Sequence, residues 1–231
     1  MNTSATHNIL EARALAIFGD DINTEQIATN SASPFNSPDL QNFMTPGIGG
    51  GYTQYFGDAP VPVPDQEISA LPLAQPTYIH EASVAYQQTG RKLIIIAGDD
   101  YGSGTSHEQA VKTTIGLGIK AIIASSFDPH HRNQLIDSGI LPLSFKDKAD
   151  YQKIKGMPSC IFSITDLTGE LNPMQEATLT ATCGFTCPLI LRLETSNEVE
   201  RYLNSNSLSS SLKKIMGKAE EKSSCSTDGG G

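Results

Sequence analysis

Between residues 92 and 143 short aliphatic runs alternate with longer amphipathic ones, and this alternation constrains the fold more than any other feature. Residues 92–97 contain Leu93-Ile94-Ile95-Ile96-Ala97, an apolar run with no polar alternation. A strand of that kind is buried on both faces. A glycine-rich turn, Gly98 to Gly104, leads into a helical stretch from about Ser106 to Leu117. Ala121-Ile122-Ile123-Ala124 reads as a second strand, about His130 to Asp137 as a second helix, and Ile140-Leu141-Pro142-Leu143 as a third strand. Strand, helix, strand, helix, strand at this spacing implies crossover connections. That places the chain in the α/β class with a mainly parallel sheet.

The flanks have a different character. Residues 13–18 form a short strand, stopped by Gly19-Asp20-Asp21. From Ala28 to Gln75 Pro, Gly, Ser, Asn and Asp dominate. Loops of this length in compact domains are functional or mobile. Within it, Gly47-Ile48-Gly49-Gly50-Gly51 is too flexible for a regular element, and a surface linker and a flap over a ligand both fit it. Order is expected again from Tyr78, with a helix over 78–89 stopped by Gly90. After residue 143 the pattern turns β-rich: Cys160 to Ile164, Ala177 to Thr182 and Leu189 to Leu193, then a short closing helix over 197–203. The expected organisation is one domain over 1–204, an irregular insertion at about 28–77, and a disordered, Ser-rich tail over 205–231.

Composition removes several function classes. Lys and Arg total 16 against 25 Asp and Glu, a formal charge of −9, so a broad phosphate-binding face is not expected. No apolar run approaches the roughly 18 residues of a membrane helix, and the N-terminus lacks a basic start followed by an apolar core. Of four cysteines, Cys160, Cys183, Cys187 and Cys225, only Cys183 and Cys187 are close, without metal-type spacing. Buried or idle thiols and a reducing, cytoplasmic setting are the expectation.

Chemistry concentrates in Tyr101-Gly102-Ser103-Gly104-Thr105-Ser106-His107-Glu108-Gln109. The two glycines let the backbone turn sharply beside a ligand. Ser106 with Gln109, or Thr105 with Glu108, fits a capping box. Free N–H groups at a helix start favour a carboxylate or phosphate, and the hydroxyls of Ser103, Thr105 and Ser106 add donors. His107 adds a switchable charge. An ordinary glycine turn before a capped helix fits the same pattern. The segment is neither GxxxxGK[ST] nor GxGxxG. Asp20 and Asp21 read as turn acids, Asp99 and Asp100 as solvated acids beside His107, and His130-His131 as a helix start whose rings point apart.

Ala97 to His107, Leu117 to Phe127, His131 to Leu135 and Gly139 to Leu143 together resemble the swivel domain of aconitase, which is also the small subunit of isopropylmalate isomerase. Phe18-Gly19-Asp20-Asp21-Ile22-Asn23-Thr24-Glu25-Gln26-Ile27 is similar to that family's opening segment. The resemblance is dense over 91–143 and thin over 28–77. It implies a swivelling β/β/α domain with parallel crossover units and a β-rich C-terminal part.

The resemblance further implies a hydro-lyase that dehydrates and rehydrates a hydroxy di- or tricarboxylate. A separate aconitase-type large subunit would hold the [4Fe–4S] cluster, while this chain binds no cofactor or metal of its own. No membrane or nucleic acid is expected as partner. By position Thr105 falls on the catalytic base, Ser106 on the neighbouring hydroxyl and His107 on a substrate arginine. The catalytic candidates are thus Thr105 and His107, and the substrate-binding candidates Ser103, Gly104, Thr105, Ser106 and His107. Histidine replaces a permanent, planar, two-pronged charge with a titratable one. The family's second substrate arginine has no counterpart, since neither Arg91 nor Arg132 lies at its place. A non-catalytic swivel module that binds an anionic metabolite or a partner protein is the alternative.

Overall fold

The computed structural model describes residues 7–27, 52–55 and 75–206. The expectations for the Gly47–Gly51 loop and for the tail beyond 206 lie outside the described residues.

In chain order the first elements are β1 (Ile9–Ile17), α1 (Thr24–Ile27), β2 (Tyr52–Tyr55), β3 (Gln75–Tyr78), α2 (Ile79–Gln88), β4 (Leu93–Ala97) and α3 (His107–Gly116). Then come β5 (Ile119–Ala124), α4 (Pro129–Asp137), β6 (Leu141–Phe145), α5 (Ala149–Ile154), β7 (Ile161–Thr165), β8 (Glu176–Ala181) and β9 (Thr186–Leu191). A helix over 196–206, here α6, follows. The crossover series of the sequence is present, and the fold is a mixed α/β one. Three features were not expected: α5, the antiparallel pairing of β2 with β3 inside the stretch read as irregular, and closure of the sheet.

The sheet closes as a barrel in the order β1-β4-β5-β6-β9-β8-β7. β1, β4, β5 and β6 run parallel. β9, β8 and β7 complete the circle in antiparallel pairs. The mainly parallel sheet is thus half of the barrel, and the β-rich C-terminal part is the other half. Closure leaves no edge with unpaired amides.

Side-chain alternation sorts the strands into two cores. Ile94 and Ile96 face the barrel interior with Ile123, Leu143, Phe162 and Leu179. Leu93, Ile95 and Ala97 face outward, beneath helices that supply Tyr86, Ala110, Val111 and Leu135. The unbroken apolar run of β4 is the consequence, because both of its faces are covered. β8 alternates buried Ala177, Leu179 and Ala181 with Glu176, Thr178 and Thr180, since one of its faces meets water.

Helix α4 starts where its sequence dictates. Asp128 is the N-cap, its carboxylate accepting from the backbone N–H groups of His130 and His131, and Pro129 takes the first helical position. Arg132 on α4 is buried and grips Glu198 of α6 at 3.0 and 3.2 Å while donating to the Arg192 carbonyl. Burial raises the Glu198 carboxyl, but hydrogen bonds from the Glu194 N–H and from Arg132 bring it below the usual carboxylate range on balance.

The idle-thiol reading fails for two cysteines. Cys160 and Cys183 form a disulfide. Phe162 pairs with Ala181 across β7 and β8, and the same register extended outward sets Cys160 opposite Cys183. A separation of 23 residues conceals this in the sequence, because only the hairpin register brings them together. Cys187 is a free, buried thiol, pushed up to about 12 chiefly by burial.

Candidate functional site

Three loops meet at the C-terminal ends of β1, β4 and β5. Parallel strands leave ligand sites at that end, where successive loops diverge. Here the loop after β4 runs between its two neighbours almost as a continued strand. Gly98 N–H donates to the Gly19 carbonyl, and Asp21 N–H to the Asp99 carbonyl. Tyr101 N–H donates to the Ser126 carbonyl on the other side. Further out, Gly102 N–H donates to the Ile22 carbonyl at 2.7 Å and Thr24 N–H to the Ser103 carbonyl at 2.6 Å.

Gly102 and Gly104 are needed at this turn. Their φ values are +90° and +115°, left-handed conformations that glycine adopts without a Cβ penalty. A Cβ on Gly102 would enter the His131 ring, and one on Gly104 would strike Thr24 and Glu25.

The candidate residues follow at the start of α3. Thr105 and Gly104 are exposed, and Ser103, Ser106 and His107 are half-buried. The capping box does not form. Ser106 occupies the N-cap position without a side-chain capping bond, and Thr105 turns away. The reason lies in α1, whose first two residues take over the bonding. Ser106 N–H donates to Thr24 Oγ1 at 2.9 Å. Glu25 Oε1 accepts from Thr105 N–H at 3.1 Å and from Thr105 Oγ1 at 3.0 Å. The Thr105 backbone bond, with help from the Glu25 N–H and the hydroxyls of Thr105 and Thr24, pulls the Glu25 carboxyl down to about 2.

His107 does not meet the neighbouring acids. Asp99 bonds Ser126 and Lys148, and Lys148 foremost holds its carboxyl below the usual range. Asp20 accepts from Asp99 N–H, and Asp21 sits at φ +56°, so both are turn residues as expected. His107 instead meets two histidines of α4. Its ring lies 4.6 Å from that of His130 and 5.8 Å from that of His131, centroid to centroid. His130 is exposed and His131 fully buried, so the two do point apart, yet both reach His107. His131 packs against Tyr101 at 5.7 Å, and neither of its ring nitrogens has a hydrogen-bond partner. Burial, with His107 adding to it, pushes the His131 imidazole down to about 4.

Neither alternative arginine serves the turn. Arg91 pairs with Glu11, and Arg132 is held by Glu198. Among the described residues no group of three or more His, Cys, Asp or Glu is arranged to hold a metal ion. An iron–sulfur cluster needs several thiolates together, and Cys160 and Cys183 are joined to each other while Cys187 is buried alone. The described residues of this chain do not fit such a cluster. Among them no helix is long and apolar enough to cross a membrane.

Sequence reasoning placed the turn but missed Thr24, Glu25 and His130 as its neighbours. Glu25 stood in the opening segment already likened to the family, which was the available signal. His130 had none, since only the docking of α4 beside α3 brings its ring to His107.

Comparisons with known proteins show the family of the chain. The model of the aconitase C-terminal domain matches residues 26–148. Aconitate hydratase A of Deinococcus radiodurans is 35% identical over 187 residues, covering 78% of this chain and 19% of that protein. The Francisella tularensis enzyme of the same name is 31% identical over 194 residues, 81% of this chain and 19% of that one. For Legionella pneumophila the figures are 30% over 247 residues, 90% and 26%. Among solved structures, 3-isopropylmalate dehydratase (leuD) of Methanocaldococcus jannaschii aligns with a TM-score of 0.46 and 20% identity, over 89% of this chain and 99% of that one. The chain belongs to the aconitase C-terminal domain family and is a swivel domain of it. It spans about a fifth to a quarter of the length of the curated relatives it matches.

Proposed function

We propose that this chain is the swivel subunit of a two-chain hydro-lyase that interconverts a hydroxy di- or tricarboxylate and its enoate. Its relatives at 30–35% identity are named aconitate hydratases. The carrying observation is the exposed Thr105 hydroxyl, tethered through its proton to Glu25.

In this reading Thr105 Oγ takes the proton from the carbon beside a carboxylate while its own hydroxyl proton passes along the hydrogen bond to Glu25 Oε1, and both transfers run backwards in the reverse direction. A hydroxyl that donates its hydrogen to a carboxylate turns its lone pairs elsewhere, ready to accept. Glu25, pulled down to about 2, is a weak proton acceptor but a stronger base than a neutral alcohol, so the hydroxyl proton moves to it only as Oγ takes the substrate proton. It orients Oγ and raises its electron density. The amides at the uncapped start of α3, together with Ser103, Gly104 and Ser106, bind the carboxylate or its developing charge. His107 contacts a second carboxylate. In this reading an iron–sulfur cluster is held by the large subunit.

The test is to assemble the full chain with an aconitase-type large subunit and follow enoate absorbance. Turnover is expected, and Thr105→Val should lower it by about 10²–10⁴-fold. A confirmed complex with intact cluster that turns over no citrate- or malate-type acid overturns the proposal.

One observation favours a second reading, an anion-binding module without catalysis. His107 stands where the family has arginine, and Arg91 and Arg132 are both engaged in ion pairs elsewhere. Undiminished turnover in Thr105→Val would support that reading.

A further inference from the structure

We propose that His130 joins His107 in one carboxylate-recognising pair of imidazoles, which takes up a proton as the acid binds. The inference rests on the reading that this site receives a carboxylate.

The two rings come from different helices. His107 is the first residue of α3 and His130 the second of α4. Their planes stand at 77°, edge towards face. His107 Nδ1 is buried with no hydrogen-bond partner. The Nε2 of His130 lies 3.2 Å from Gln134 Nε2, a side-chain amide rather than an acid.

Four of the charged groups around the pair, Glu25, Glu108, Asp128 and Arg132, are engaged with other partners. On α1, Glu25 holds Thr105. On α3, Glu108 pairs with Lys112. On α4, Asp128 caps the helix through the backbone N–H groups of His130 and His131, and Arg132 is held by Glu198. In the turn, Asp100 donates its backbone N–H to Ser126 Oγ and its side chain is exposed. His131, beneath the pair, is buried and contributes no negative charge.

Two imidazoles this close repel once both are protonated, and the two helix starts add to the positive potential. A bound carboxylate reverses that balance. It accepts from both rings and is matched by the helix dipoles. By linkage, an anion that favours the protonated pair is itself bound more tightly as protons are supplied. An arginine in the same place would stay charged throughout and bind without this dependence. His130 thereby becomes a specificity-determining residue, giving carboxylate binding a pH dependence that a guanidinium lacks.

The full chain, labelled with 13C at histidine, tests this by NMR titration of pH with and without citrate as probe. With citrate, His107 and His130 should both protonate at higher pH than without it. Citrate affinity should fall up to about tenfold per pH unit above the imidazole midpoint. His130→Gln changes an exposed side chain, so folding is preserved. It should weaken citrate binding several-fold near pH ~6 and little near pH ~8. His107→Arg should reduce the pH dependence to the part that His130 supplies, and His107→Arg combined with His130→Gln should remove it over that range. Citrate that leaves both histidine titrations unmoved, or His130→Gln binding citrate like the parent at every pH, overturns the proposal. Turnover is not needed for this readout. An inactive complex with proton-coupled citrate binding would sink the hydro-lyase reading alone.

Discussion

Glu25 receives two hydrogen bonds from Thr105, one from its backbone N–H and one from its hydroxyl. The two residues are 80 positions apart, and this contact joins the loop after β1 to the turn after β4. It decides which atoms of the turn are engaged and which face outward.

That tether titrates. Glu25 is held at about 2, below the usual carboxylate value, so the tether is present above about 4.5 and lost as pH falls towards about 2. Its weight in global stability is small, because the carboxylate is exposed. Hydrogen exchange at the Thr105 amide reads it directly. Glu25→Ala should accelerate exchange several-fold relative to intrinsic rates, and the parent should show the same acceleration over that acid window. Equal protection in both proteins would break the assignment.

His131 gives a larger acid dependence of opposite chemical origin. It is buried neutral at about 4 but titrates near ~6.5 when unfolded. The unfolded chain binds the extra proton between those values, so stability is full above ~6.5 and declines as pH falls towards about 4. The loss is on the order of 3 kcal/mol. Urea unfolding across pH measures it. His131→Phe should flatten the slope whatever its own stability, and an unchanged slope refutes the cause.

Gly102→Ala should destabilise strongly. Its φ of +90° costs a side chain about 1–3 kcal/mol, and the new methyl meets the ring of buried His131. Gly184→Ala is the control, with positive φ but nothing within 4 Å of the added Cβ. The denaturant midpoint of the Gly102 variant should fall clearly below that of the control.

The disulfide between Cys160 and Cys183 ties the entry of β7 to the turn after β8. A closed loop of this size restricts the unfolded chain by about 2–4 kcal/mol. Adding a reductant, or replacing Cys183 with Ser, should lower the unfolding midpoint accordingly. Mass spectrometry after alkylation should find Cys160 and Cys183 blocked and Cys187 modified only on unfolding. Alkylation of Cys160 in the native, unreduced protein would refute the bridge.

The sequence by itself determined the crossover half of the barrel, because each parallel strand there is covered on both faces and so writes an unbroken aliphatic run. It also marked the candidate turn: two glycines, three hydroxyls and a histidine after such a run are local signals that need no tertiary information. What it left open depends on contacts between distant segments. The capping box gave way to Thr24 and Glu25, since a carboxylate brought from the neighbouring loop competes for the same Thr105 hydroxyl and amide. The pairing of Cys160 with Cys183 follows from a hairpin register, and the meeting of His107 with His130 from two helices starting side by side. Local patterns select elements, but closing the barrel sets which of their ends come together, and the chemistry of this turn is made of those ends.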